Sequence, residues 1–208
     1  MEYSLDELYR LRKTHLNSAA ELFSKVFFED SIAMWMFPEE ETRKQNLYHY
    51  HRFRINYGLL YGEVYATSPH LEGLAVWVYS ENIEMTNWKI IRAGGLNLFR
   101  NVGKDAIIRM LKIGNFVSAL HKKYATFPHL FLSPVGVNPE LHGRGNASKL
   151  LRPIFNRLDQ EHLHCYLETQ DKSNVDIYLH YGFEVLNKSI IPSTEIEIWC
   201  MERTPKQT

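Results

Sequence analysis

From residue 135 to residue 151 the chain reads Val135-Gly-Val-Asn-Pro-Glu-Leu-His-Gly-Arg-Gly-Asn-Ala-Ser-Lys-Leu-Leu151. An apolar strand-like run ends in two closely spaced glycines, and an amphipathic helix starts at once. A helix start leaves backbone N–H groups unpaired and carries partial positive charge, so an anion with several oxygens can be held there without a dedicated lysine. Glycine at Gly143 and Gly145 keeps side chains from standing between such an anion and those donors.

Two familiar phosphate loops do not fit this stretch. A Walker-type loop ends in Gly-Lys-Ser/Thr, whereas this one runs Ser148-Lys149-Leu150. The dinucleotide fingerprint wants a third small residue, and Gly143-x-Gly145-x-x-Ser148 supplies an imperfect one. The segment His142-Gly143-Arg144-Gly145-Asn146-Ala147, led in by Val137-Asn138-Pro139, instead resembles the acyl-CoA loop of the GNAT superfamily of N-acetyltransferases, Gln/Arg-x-x-Gly-x-Gly/Ala. His142 departs from the Gln or Arg usual there, but the main-chain donors survive that change.

A second segment strengthens the resemblance. Further along stands Tyr166-Leu-Glu-Thr-Gln-Asp-Lys-Ser-Asn174-Val-Asp-Ile-Tyr178-Leu-His-Tyr-Gly182-Phe183-Glu184. It is similar to the superfamily's other signature: a strand, a loop, Asn at a helix entry, Tyr one turn on, then Gly-Phe. The match covers roughly residues 130 to 204, and the amino-terminal half matches only in general layout.

The resemblance implies transfer of an acetyl group from acetyl-CoA, as acyl donor, to a primary amine of a small molecule. Tyr178 then falls where the superfamily keeps the acid that protonates the departing sulfur, with Tyr181 as its rival. Val135, Val137, His142, Gly143, Arg144, Gly145, Asn146, Ala147, Ser148, Asn174 and Tyr178 are the expected CoA contacts. Val135 and Val137 act there through their backbone, and the Val137 N–H is the expected oxyanion donor. Asn174 doubles as a helix cap. For the base, Glu168 at the carboxyl end of its strand stands beside Asp30 and Glu29, and all three stay open. A CoA-binding regulatory domain without turnover is the competing reading, against which the retention of Tyr178 counts.

Composition agrees with this frame. The 208 residues carry 24 Lys plus Arg against 24 Asp plus Glu, so no basic field is available to draw nucleic acid or an anionic membrane. No apolar run approaches the ~20 residues of a membrane span, and the start lacks a basic region followed by an apolar core, which points to a cytoplasmic protein. Cys165 and Cys200 both lie in apolar strand-like segments, as small buried hydrophobes rather than a disulfide or zinc site. No histidine pairs with Glu as a helical zinc peptidase requires, so no metal is expected. The Tyr48-His-Tyr-His51 cluster reads as ordinary helix surface.

The pattern predicts one α/β domain over residues 1–208: a mixed central sheet of about seven strands flanked by helices, with a bulged and splayed fourth strand. A strand at 9–12 precedes a helix capped by Asn17 or Ser18, then a helix end and loop over 28–38 and a helix over 41–61. Strands at 63–67 and 74–79 form a hairpin. A helical insert occupies about 82–126, broken near Gly94-Gly95, its apolar side covering a pocket or a homodimer interface; the protein is then a monomer or a homodimer. Strand 130–138 contains Gly136, the expected bulge. A striped helix from Ala147 to Leu158 passes through Pro153, and strands at 164–169, 183–187 and 195–201 complete the sheet.

Overall fold

The computed structural model describes residues 4–206. Seven strands form one sheet in the order β1-β2-β3-β4-β5-β7-β6. They are β1 (Tyr9–Arg10), β2 (Gly62–Ala66), β3 (Gly73–Tyr79), β4 (His129–Val137), β5 (His164–Thr169), β6 (Glu184–Ile190) and β7 (Glu197–Arg203). All neighbours run antiparallel except β4 and β5, which are parallel.

The period-two alternation of the strands divides the core into two layers. On β3, Leu74, Val76 and Val78 face one layer while Ala75 and Trp77 face the other. On β7, Ile198 and Cys200 oppose Trp199 and Met201 in the same way. The first layer is covered by α1 (Leu16–Val26), α2 (Ser31–Met36), α3 (Glu40–Tyr61) and the three helices between β3 and β4. The second is covered by α7 (Asn146–Gln160) and α8 (Lys172–His180). Phe23, Leu47, Tyr57, Trp77, Leu150 and Tyr166 are among the fully buried large side chains, each worth roughly 1.5–3 kcal/mol of burial.

Local details depart from the sequence expectations where tertiary packing overrides local preference. Helix α1 begins at Leu16 behind a 3-10 turn, so Asn17 and Ser18 lie inside it and His15 occupies the cap position without a side-chain bond. The stretch expected as helix end and loop contains α2, because the Asp30 carboxylate accepts from the Ala33 N–H and caps a turn. The insert breaks twice, into α4 (Asn87–Ala93), α5 (Gly95–Val102) and α6 (Lys104–Tyr124), at Gly94 and again at Gly103, both with positive φ. Its Ala93, Leu98, Ile113 and Leu120 enter the core, while Trp88, Leu96, Phe99 and Leu111 stay exposed. Helix α7 continues through Pro153.

The bulge of β4 lies at Ser133–Pro134 and not at Gly136. Ala75 pairs with Val135 and Trp77 with Leu132, so β4 carries one extra residue over that interval. Pro134 has no N–H to give to a ladder, and a bulge is where a sheet admits such a residue. Gly136 instead pairs in register with Leu74 and is bare because α1 lies on it: a Cβ there would come within 2.9 Å of Val26 and 3.2 Å of Phe23. Among the described residues no helix is long and apolar enough to cross a membrane.

Candidate functional site

The parallel ladder between β4 and β5 joins His129 to His164, Leu130 to Cys165, Phe131 to Tyr166 and Leu132 to Leu167, and then stops. Beyond it β4 continues through its bulge to Val137 and β5 to Thr169. The two strands therefore part at Ser133 and Glu168, opening a gap in the middle of the sheet. Asn138 donates to the Glu72 carbonyl, and the antiparallel register then turns the Gly136 N–H toward β3. By the alternation of such a ladder, the N–H groups of Val135 and Val137 point the other way, into the gap.

On the second layer the gap is met by the start of α7. Gly143 and Gly145 have φ of +74° and +77°, a left-handed conformation that only glycine adopts freely, and a Cβ on either would meet open space. The first backbone bond of the helix runs from Lys149 to Gly145, so the amides of Asn146, Ala147 and Ser148 precede the ladder and face outward. Donors without carbonyl partners, with open space above them, fit a diphosphate. Arg144 is exposed beside them. The His142 ring is turned inward, its Nε2 3.1 Å from the Val137 carbonyl, and so pins the loop to the end of β4. The Asn146 side-chain Nδ2 donates to the Leu141 carbonyl, and the Ser148 hydroxyl lies 2.7 Å from that of Tyr181.

Helix α8 follows β5. Its cap is Asp171, whose carboxylate accepts from Ser173 N–H at 2.8 Å, and not Asn174, which lies in the first turn. The helix ends in a Schellman motif: Phe183 N–H bonds the Tyr178 carbonyl, Gly182 N–H bonds that of Leu179, and Gly182 takes φ +87°. This fixes Tyr178 against Phe183 at 5.5 Å between rings, 9% exposed. Burial, with Cys165 and Tyr181 nearby, pushes its phenol well above the ordinary range. Tyr181 is committed elsewhere, bonded to Ser148 and covered by Arg152.

On the first layer the gap is lined by Glu168, with a side chain 7% exposed, and by His121 of α6, whose Nδ1 lies 3.4 Å from Glu168 Oε1. His121 Nε2 is 2.9 Å from His129 Nε2, and His129 Nδ1 is 2.7 Å from the Phe127 carbonyl. A carbonyl can only accept, so His129 carries its proton on Nδ1 and offers Nε2 as acceptor; His121 must then donate from Nε2. Burial pushes His129 down to about 4, which keeps it neutral. The other ring nitrogen of His121, Nδ1, is thereby turned toward Glu168. The ring of Tyr166 closes this cluster at 4.5 Å from His121.

The other carboxylates expected there have different surroundings. Asp30 uses Oδ1 as the cap of α2 and accepts from Gln170 at 2.6 Å on Oδ2; burial raises its pKa. Glu29 is exposed. His51 is not helix surface: it is 4% exposed, stacked on Phe27 and edge-on to Phe23. Burial, with Arg54 beside it, pushes it down to about 3. The sequence pattern did not single out His121, His129 or Arg54, because a helix end, a strand start and a helix middle share no period that marks them as neighbours. Arg54 donates to the Tyr50 hydroxyl at 2.7 Å and to Ser133 Oγ at the lip of the gap.

No family model matches the chain. It is 28% identical over 181 residues to an uncharacterized N-acetyltransferase of Schizosaccharomyces pombe, a match covering 84% of this chain and 72% of that protein. Among solved structures it is similar to a histone acetyltransferase HPA2 and related acetyltransferase from Corynebacterium glutamicum, with TM-score 0.69 and 18% identity over 100% of this chain and 99% of that one. The polyamine N-acetyltransferase of Drosophila melanogaster superposes with TM-score 0.60 and 12% identity, over 95% and 98% of the two chains. The chain thus shares its fold with acetyltransferases of known structure, and its glycine loop, Asn-x-x-x-Tyr helix and parted parallel strands are similar to those of the GNAT superfamily of N-acetyltransferases.

Proposed function

We propose that residues 1–208 act as one acetyl-CoA-dependent N-acetyltransferase whose acceptor is the primary amine of a small molecule. The observation that carries this reading is the parting of β4 and β5 directly between an anion-ready helix start and a buried carboxylate beside His121. The α7 amides and Arg144 hold the diphosphate, and the acyl arm lies along the gap, reaching the N–H groups of Val135 and Val137. Asn174, free of the cap, is available to the arm.

The reaction joins the amine nitrogen to the thioester carbonyl carbon and breaks the carbon–sulfur bond. An alkyl amine is mostly protonated at neutral pH, so its proton must leave first. Glu168 takes that proton, with His121 Nδ1 beside its carboxylate at 3.4 Å. The Val137 N–H donates to the developing oxyanion, Tyr178 gives the departing thiolate its proton, and the second proton that the amine nitrogen sheds as the amide forms balances the one the phenol then regains. A phenol whose pKa is raised by burial stays protonated until the thiolate forms, which suits a donor. Two free buried cysteines fit work in a reducing cytoplasm.

Calorimetric titration with acetyl-CoA, beside dephospho-CoA and ATP, tests the reading. Micromolar binding of acetyl-CoA followed by amine-dependent thiol release supports it; absence of binding would return the chain to a structural or regulatory role.

A further inference from the structure

Among the described residues, the buried and half-buried arginines other than Arg54 donate to carboxylates, backbone carbonyls or an amide oxygen. Arg203 forms a two-point pair with Asp159 at 2.8 and 2.7 Å, and Arg157 reaches Glu63 at 2.8 Å. Arg43 donates to the carbonyls of Phe37 and Pro38, Arg109 to that of Met36, and Arg52 to the Asn17 amide oxygen. Arg54, like Arg43, Arg52 and Arg109, has no carboxylate within ion-pair distance among the described residues, but it alone of these has only hydroxyls, those of Tyr50 and Ser133, as acceptors. Its guanidinium lies over the Tyr50 ring, 5.6 Å from the centroid, which helps to hold it in place without neutralising it.

The position of this arginine matters. Continuing the β4–β5 register by one step would set Ser133 against Glu168, and this is where the strands part. Alternation along β4 puts Ser133 on the face of His129 and Phe131, the face that Tyr166 and Glu168 share on β5. Arg54, bonded to Ser133, therefore borders one side of the opening while Glu168 borders the other, both on the layer opposite α7.

We infer that Arg54 binds a carboxylate of the acceptor, so that the substrate is an amino acid or a similar amine bearing an acidic group close to the reacting nitrogen. This deepens the proposed acetyltransferase reading and rests on it. Both halves of such a zwitterion find their complement: the ammonium group at Glu168, where it gives up its proton, and the carboxylate at the guanidinium, which accepts two-point pairing. A polyamine, cationic along its length, meets a fixed positive charge at the same opening.

Matched acceptor pairs test this: phenylalanine against 2-phenylethylamine, and ornithine against putrescine, assayed by thiol release at saturating acetyl-CoA. A single charge-assisted contact predicts a kcat/KM ratio favouring the carboxylate member by roughly 10- to 150-fold. Arg54→Gln should collapse that ratio and Arg54→Lys restore part of it; a ratio is insensitive to how much of a variant folds. A wild-type ratio at or below one, or a ratio unmoved in Arg54→Gln, overturns the inference while the acetyltransferase reading stands. Loss of wild-type acetyl-CoA binding in calorimetry overturns both.

Discussion

Ser133 and Glu168 are the residues that follow the last β4–β5 rung, Leu132 with Leu167, and the strands part there, where β4 carries its extra residue. One inserted residue thus both ends the parallel pairing and leaves the Val135 and Val137 amides without a strand to bond. The phosphate-ready loop approaches this gap from one layer and the Glu168–His121 pair from the other.

Replacing Gly145 by valine should weaken acetyl-CoA by about tenfold or more, since the side chain would project into the open space above the α7 amides. The left-handed φ of +77° adds a folding cost of roughly 1–2 kcal/mol for a residue with a Cβ. Calorimetry at a temperature well below the variant's unfolding midpoint separates the two effects; unchanged affinity would remove the loop from the site.

Tyr178→Phe and Glu168→Gln should each lower kcat by about 10²- to 10⁴-fold while leaving acetyl-CoA affinity within a factor of a few. Steady-state thiol release gives the first quantity and titration the second. Full activity in Tyr178→Phe would make that tyrosine a packing residue against Phe183 and nothing more.

Gly136→Ala should destabilise the protein by about 1–3 kcal/mol, because the added methyl group meets Val26 and Phe23 of α1. Denaturant midpoints would register the loss. Stability equal to wild type would mean that α1 can back away from β4 at no cost.

Acid should destabilise the fold through its buried neutral histidines. His51 is held near 3 and His129 near 4, both below the ordinary value of 6.5, so between those limits the unfolded chain binds more protons than the folded one. Their contribution is intact above pH 6.5 and is lost as the pH falls; each costs about 2 kcal/mol by pH 5. His51→Phe, at a site whose ring nitrogens have no hydrogen-bond partner, should flatten the urea midpoint between pH 6.5 and 5. A slope equal to wild type would contradict this.

Much of the architecture was legible because its signals are local. Alternation marked β2, β3, β5 and β7, the apolar stripe marked α7, and Gly182-Phe183 marked the end of α8. Misjudged features were those settled by competition between neighbours. Asp171 outcompetes Asn174 as a cap because it sits at the residue whose φ and ψ leave the helix. Gly136 looked like a bulge, but its missing side chain serves α1, while the extra residue falls at Ser133–Pro134. His51 looked exposed within a polar helix, yet Phe23 and Phe27 of α1 enclose it.

The sequence by itself determined the layer type and the phosphate-ready turn, since glycine conformational freedom, period-two alternation and an amphipathic stripe act within a few residues of chain. Only the tertiary structure decided what lines the gap on the layer opposite α7. There His121, His129, Arg54 and Glu168 come from four different elements, and a charge's partner is set by distance in space, which no spacing along the chain encodes.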